Sequence, residues 1–361
     1  MLVKTFGSAV SGIEAYTITI EVSVTQGMKF FMVGLPDNAV KESQQRIETA
    51  IKGNGFHWPG KKIVINMAPA DIRKEGSAYD LPLALGILAA SEQIPADNLH
   101  KYIIMGAMSL DGGLMPIRGV LPIAIKAKEE GYEGIIIPMT NAREAAIVEG
   151  FKVYGANNLN EVVAFLRDGG GIEQVVVDTA EEFKKNNILS DLDFSEVKGQ
   201  ESVKRALEIA AAGGHNILLI GAPGSGKSMM AKRMSSILPP LTQEEALETT
   251  KIHSVAGKVN SGGSLITKRP FRSPHHTISD VALVGGGAYP QPGEISLAHN
   301  GLLYLDELPE FKRSVLEVMR QPLEDRTISI SRSKFTVDYP ASFMLVASMN
   351  PCPCGYYGHP E

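Results

Sequence analysis

The chain has 361 residues, 44% hydrophobic and 21% charged, which is the make-up of globular domains and enough length for two separate cores. A net charge of -5 excludes a protein that coats nucleic acid through bulk charge, so any polyanion site has to be local. The two cysteines, Cys352 and Cys354, stand too close together for a good disulfide, which points to a reducing compartment and a cytoplasmic location.

The opening MLVKTFGSAVSG has no long apolar core after its lysine. The longest apolar run, LPLALGILAA, is about half of what a bilayer span requires, so neither export nor a membrane is expected. Residues 1–167 alternate short β-type runs (YTITIEVSV, KIVINM, YIIMGAMSL, GIIIPM) with helical segments such as DNAVKESQQRIETAIKGNG and PIAIKAKEEGY, as a self-contained α/β domain does. Residues 168–193, with a glycine break and the charged DTAEEFKKNNILSDLDF, read as a linker. A second domain spans 194–361. It opens with SEVKGQESVKRALEIAAAGG, acidic early, apolar at helical spacing and stopped by paired glycines, and continues into the apolar strand HNILLIG.

That strand runs straight into GAPGSGKS, and the order strand, glycine loop, lysine, hydroxyl, helix is the one phosphate binding needs. Gly221, Ala222, Pro223, Gly224, Ser225 and Gly226 form a loop whose backbone N–H groups can converge on phosphate oxygens at a helix that begins around Met229. Lys227 brings a positive charge for the β- and γ-phosphates of ATP, and Ser228 an oxygen for Mg²⁺. A second strand, GLLYLDEL, ends in Asp306, placed to hold hydrated Mg²⁺, and Glu307, placed to polarise the attacking water. A third, FMLVASMN, delivers Asn350 at its C-terminal end, the edge where an open α/β sheet binds its ligand. Three strand ends together make an ATP hydrolysis site, with Lys227, Glu307 and Asn350 as its catalytic candidates and Ser228 and Asp306 as the Mg²⁺ pair.

With those motifs in view, the chain resembles the magnesium-chelatase-like group of AAA+ ATPases. The runs VKGQESVKRALEIAAAGGHNILLIG, RPFRSPHHTISDVALVGGG, PGEISLAHNGLLYLDELPEF and RQPLEDRTISISRSKF narrow the resemblance to the YifB/ComM family, over nearly the whole chain. The resemblance implies a ring, usually a homo-hexamer, and a DNA-remodelling motor linked to natural transformation that acts on single-stranded or branched DNA. It also implies a β-hairpin before the third strand that points into the pore; here that is Thr327 to Pro340, with Arg332 and Lys334 near the tip as DNA-contacting residues. Two cations on a protruding turn can track a phosphate backbone without reading bases. The alternative is a protein-remodelling or chelatase-like ATPase, in which the hairpin contacts polypeptide through Phe335.

Between Lys227 and Asp306 the chain is longer than one crossover helix requires. The segment KRPFRSPHHTISDVALVGGGAYPQPG, rich in glycine, proline and basic residues, predicts a mobile loop rather than a core element. Within it, Arg269 and Arg272 could contact nucleic acid and His275 and His276 could ligate metal, but adjacent histidines point in divergent directions, and the four are read as structural or pore-loop residues. Cys352 and Cys354 supply half of a Zn²⁺ site at best, and His359 a third ligand, where a tetrahedral site takes four. The family pattern continues with a second cysteine pair, an arginine finger and a helical lid, so the sequence is expected to be a piece of a longer protein, truncated before those elements, and to hydrolyse ATP weakly on its own.

In the first domain, APADIRKEGSAYDLPLALGILAA and GAMSLDGGLMPIRGVLPIAIKAKEEGYEGIIIPMTNAREA resemble the proteolytic domain of Lon, an S5-like α/β fold. Aligned with that family, Ala78 takes the position of the serine nucleophile and Leu121 that of the activating lysine; Ser77 is one residue off and Lys126 lies further along. The resemblance thus implies a fold without its peptidase chemistry, used to assemble a ring or to receive DNA or a protein partner.

Overall fold

The computed structural model describes residues 1–186, 192–259, 265–287, 290–332 and 335–352. They form two compact units, Met1–Thr179 with Gly257–Ser264 and Ala180–Ala256 with Leu265–Glu361.

The first unit is built on a mixed sheet. β1 (Leu2–Ser11) and β2 (Glu14–Thr25) form a long antiparallel hairpin, with Leu2 opposite Ser23 and Ser11 opposite Glu14. β3 (Phe30–Val33) and β4 (Lys62–Ala68) flank it on one side; β5 (Tyr102–Ile104), β8 (Gly134–Pro138) and β9 (Lys152–Ala156) extend it on the other, in the order β3-β4-β2-β1-β5-β8-β9. β6 (Ala107–Met108) and β7 (Leu114–Met115) make a separate ribbon. In β2 the β-branched residues alternate in and out, and Ile18, Ile20 and Val22 are fully buried.

α1 (Asn38–Gly53) begins where the Asp37 carboxylate accepts from the Val40 N–H at 2.7 Å, and it turns Val40, Ile47 and Ile51 inward. α2 (Asp80–Ala90) is the run LPLALGILAA, apolar on every face and buried along its whole length. α3 (Val120–Glu129), α4 (Met139–Ala145) and α5 (Leu159–Asp168) complete the unit, and α6 (Thr179–Asn186) carries the division between the two units.

The first residue of α2, Asp80, is fully buried and held by Arg46, whose Nε and Nη2 donate to its two oxygens at 2.9 and 3.0 Å. Burial pushes the Asp80 carboxyl above its ordinary range, outweighing the pull of Arg46 and the Met108 N–H. Such a pair adds little net stability, yet stranding one charge is costly. Arg46→Met is therefore expected to destabilise this unit by roughly 3 kcal/mol in urea unfolding, and a further Asp80→Leu to restore most of the loss; equal stability of the single variant and wild type would contradict this account.

The second unit holds an all-parallel sheet in the order β10-β17-β14-β11: β10 (Ile217–Ile220), β17 (Met344–Met349), β14 (Leu302–Leu305) and β11 (Phe271–Arg272). β14 is buried at every position, as a strand covered on both faces must be. α7 (Glu201–Gly213) precedes β10, and α8 (Lys227–Arg233) and α9 (Gln243–Val255) follow it. Thr242 caps α9 in a reciprocal box with Glu245.

The expectation of a mobile loop over KRPFRSPHHTISDVALVGGGAYPQPG is corrected. That segment supplies β11, α10 (Asp280–Val284), β12 (Gly285–Gly286) and β13 (Gln291–Pro292), and α11 (Glu294–Leu297) comes next. The physical reason is pairing that composition does not reveal: Phe271 sits opposite Leu302 in the sheet with its ring 6.0 Å from Tyr304, and Arg272 grips Glu294 through two hydrogen bonds of 2.5 and 2.7 Å. After β14 come α12 (Arg313–Glu317) and α13 (Arg320–Asp325). β15 (Thr327–Arg332) and β16 (Phe335–Pro340) then pair antiparallel, from Thr327 opposite Pro340 to Arg332 opposite Phe335.

Candidate functional site

The C-terminal ends of β10, β14 and β17 lie side by side because the three strands run parallel in adjacent positions, Ile220 opposite Met349 and Leu305 opposite Ala347. The residues just past each strand are therefore brought to one edge. After β10 the chain turns through 221–226, where Gly224 and Gly226 take φ of +76° and +86°, left-handed conformations that side-chain-bearing residues rarely adopt. Gly226 is the N-cap of α8, so the loop N–H groups and the first turn of the helix face the same space. A cavity of about 370 Å³ opens there, lined by the loop together with Lys227, Ser228, Asp306, Glu307 and Asn350.

Lys227 is fixed by three oxygens. Its Nζ donates to the Gly221 carbonyl at 2.7 Å, the Ala222 carbonyl at 3.0 Å and Asn350 Oδ1 at 3.1 Å. These acceptors are neutral, so the ammonium keeps a charge that a phosphate oxygen can meet. Ser228 Oγ donates to Asp306 Oδ2 at 2.9 Å, which sets a hydroxyl and a carboxylate side by side. Hard oxygen donors of this kind suit Mg²⁺, which keeps several of its waters and takes one or two protein oxygens beside the phosphates. The residues present fit that ion.

Asp306 is held by more than Ser228. Ser348 Oγ donates to its other oxygen, the Glu307 N–H does so at 3.1 Å, and Tyr304 OH bridges Ser348 at 3.0 Å and Ser228 at 3.2 Å. Burial alone raises the Asp306 carboxyl, but the hydrogen bonds from Ser348, Ser228, Tyr304 and the Glu307 N–H outweigh it and hold the group below its ordinary range, anionic at neutral pH. Tyr304 and Ser348 escaped the reading of the sequence. Their signal was a hydroxyl inside each apolar strand, LLYL and VASM, near the end that meets the cavity.

Glu307 comes next with φ +55° and ψ +50°, a left-handed backbone uncommon for any residue but glycine. Its side chain is 56% exposed and lies on the cavity wall. Met229, just past Ser228, is also exposed. Pro223 and Ser225 stay in the loop, and the Ser225 carbonyl accepts from Gln200 Nε2 at 3.0 Å.

Other residues singled out in the sequence lie elsewhere. Arg269 donates to the carbonyls of Pro239 and Asn300 at 2.6 and 2.7 Å and reaches Glu245 at 3.2 Å, so it and Arg272 are structural ties within this unit. His275 and His276 stack at 4.1 Å, and His276 Nδ1 lies 3.4 Å from Glu307 Oε2. Among the described residues no three or more His, Cys, Asp or Glu side chains gather as a metal-binding group. Cys352 is half-buried, while Cys354 and His359 lie outside the described residues. Lys334 lies outside them as well, and Arg332 is described for its backbone only, at the last pair of the hairpin. In the first unit, Leu121 is fully buried and its N–H donates to Glu144 at 3.1 Å, and the Ala78 carbonyl accepts from the Gly106 N–H at 2.8 Å. Lys126 of α3 pairs with Glu130, just past the helix end, at 3.4 Å.

Residues 193–361 match the family described as magnesium chelatase, subunit ChlI, and residues 20–141 match the one described as subunit ChlI of Mg-chelatase. The chain is 47% identical over 350 residues to YifB of Salmonella typhimurium, covering 97% of this chain and 68% of that protein. It is 45% identical over 357 residues to the competence protein ComM of Haemophilus influenzae, covering 98% and 69%. A more distant likeness, 30% over 170 residues, covers 43% of this chain and 20% of the DNA replication licensing factor mcm7 of Schizosaccharomyces pombe.

Proposed function

The chain belongs to the YifB/ComM family of magnesium-chelatase-like AAA+ ATPases, and from that premise we propose that it works as an ATP-driven motor on single-stranded or branched DNA, assembled as a homo-hexamer in the cytoplasm. The observation that carries the reading is the convergence of Lys227, Ser228, Asp306, Glu307 and Asn350 on one cavity, with the β15–β16 hairpin later in the same unit. In this reading the loop from Gly221 to Gly226 cradles the phosphates and Lys227 meets the β- and γ-oxygens. Ser228 and Asp306 are the residues that would hold Mg²⁺, which would supply charge neutralisation beside the phosphates. Glu307 orients the attacking water and takes up its proton. Asn350, already tied to Lys227, faces the same oxygens and reports the state of the γ-phosphate to β17.

The names of two relatives, a competence protein and a DNA replication licensing factor, favour DNA as the polymer. The first unit serves as a scaffold in this reading, with Leu121 in its apolar core where the resemblance to Lon places a catalytic lysine. A test is the affinity of the full-length protein for a fluorescent single strand at several salt concentrations. Arg332→Ala/Lys334→Ala is expected to weaken binding at least tenfold and to flatten the salt dependence by about two phosphate contacts. Unchanged affinity and slope would remove DNA from the hairpin and favour a polypeptide client, as in the chelatase-like alternative.

A further inference from the structure

Tyr304, the penultimate residue of β14, is 1% exposed, and its ring belongs to an apolar cluster with Leu302, Met230 and Val346 and stacks on Phe271 at 6.0 Å. Packing there calls for a ring alone. A buried O–H must also find an acceptor, and this one finds two, Ser348 Oγ of β17 at 3.0 Å and Ser228 Oγ of α8 at 3.2 Å. Each serine gives its own proton to Asp306, Ser348 to Oδ1 and Ser228 to Oδ2 at 2.9 Å. The four side chains therefore close a ring of hydrogen bonds, with donation running from Tyr304 along both arms to the carboxylate.

Strand geometry explains how the ring comes about. Asp306 follows Tyr304 by two residues and so shares its face of the sheet, while Tyr304 sits opposite Val346, two residues before Ser348 in the neighbouring parallel strand. Closure has a consequence for Ser228. A serine hydroxyl carries one proton and two lone pairs. The proton is committed to Asp306 and one lone pair to Tyr304, which leaves one lone pair for the cavity that Ser228 lines. Without the Tyr304 contact that hydroxyl could turn among its staggered rotamers, and Asp306 would lose the brace behind both of its serines.

We propose that Tyr304 is a positioning residue that makes the Ser228 and Asp306 oxygens discriminate Mg²⁺ from Ca²⁺. The inference rests on the reading of those two residues as the Mg²⁺ pair. Mg²⁺ demands near-ideal octahedral geometry, whereas Ca²⁺ accepts more oxygens at longer and more variable distances. Oxygens that cannot drift suit the first ion; oxygens free to swing lose that advantage. Partners that orient metal ligands from behind commonly contribute about ten- to a hundredfold in metal affinity. Tyr304 lies behind the cavity wall, so its effect reaches the ion through the two serines.

The test is the affinity of the full-length protein for a fluorescent, non-hydrolysable ATP analogue in EDTA, in Mg²⁺ and in Ca²⁺, for wild type, Tyr304→Phe, Ser348→Ala and the double variant. Tyr304→Phe is expected to weaken binding about tenfold in Mg²⁺ and to leave binding in EDTA and in Ca²⁺ within about twofold, so the preference for Mg²⁺ over Ca²⁺ falls about tenfold. Ser348→Ala opens the same ring and is expected to lower that preference in the same direction, which decides the question should Tyr304→Phe fail to fold. The double variant should lose less than the product of the two single losses, as members of one network do. An unchanged preference in the folded single variants overturns the proposal. Equal weakening in all three conditions together with a lower melting temperature also overturns it, because a hydroxyl that merely supports the fold would act that way. Wild-type binding that is the same in EDTA and in Mg²⁺ overturns the assignment of Ser228 and Asp306 to Mg²⁺, and the inference with it.

Discussion

Glu307→Gln is expected to lower kcat for ATP in the full-length protein by roughly a hundred- to ten-thousand-fold while leaving nucleotide affinity within about threefold of wild type. The side chain is half-exposed on the cavity wall; without it Lys227 is still held by Gly221, Ala222 and Asn350, and Asp306 by Ser228 and Ser348. Binding geometry should therefore survive the change. Glutamine keeps the size and one acceptor oxygen but cannot take the proton that the attacking water must give up, so the loss falls on the chemical step. Titration with a fluorescent ATP analogue beside a coupled turnover assay separates the two effects. A kcat within tenfold of wild type would move the general base elsewhere, and lost binding would make Glu307 a binding residue.

Lys227→Ala removes more. Its ammonium is the cation set among the Gly221, Ala222 and Asn350 oxygens, and truncation both forfeits the phosphate contact and leaves those oxygens facing one another. A charge-assisted hydrogen bond is worth roughly 1.5–3 kcal/mol, so nucleotide affinity should fall about ten- to a hundredfold. Turnover should fall further, by about a thousandfold or more, because charge on the transferred phosphoryl group grows towards the transition state. Since Lys227 lies at the cavity rim, the thermal midpoint of the nucleotide-free protein should barely move. Retained tight binding of the analogue by Lys227→Ala would place the phosphates outside the loop.

The site was legible because its parts are local in sequence. A glycine loop between a strand and a helix, two acids after LLYL and an asparagine after VASM each carry their own signal, and parallel pairing then brings the three together. The Thr327–Pro340 hairpin, which the family resemblance implied, pairs antiparallel from Thr327 opposite Pro340 to Arg332 opposite Phe335. The elements that stayed hidden depend on distant partners. β11 is two residues in a stretch of glycine, proline and arginine, and only its register with Leu302 makes it a strand. The run LPLALGILAA has no amphipathic period because α2 is enclosed on all sides, so its helical character could not be read from hydropathy. β1 was passed over as an ordinary N-terminus, although its ten-residue pairing with β2 organises the first sheet. Tyr304 and Ser348 meet partners more than forty residues away in the chain, a kind of relation that spacing alone does not encode.

Coupling of hydrolysis at the 221–228 loop to a DNA-bound hairpin is what the proposed function requires. Its most direct test is the ATP turnover of the full-length protein with and without forked DNA, in wild type and in Arg332→Ala/Lys334→Ala. Stimulation of wild type by DNA, lost in the double variant with unstimulated turnover intact, is the predicted result. Robust turnover that forked DNA leaves unchanged in wild type would contradict it.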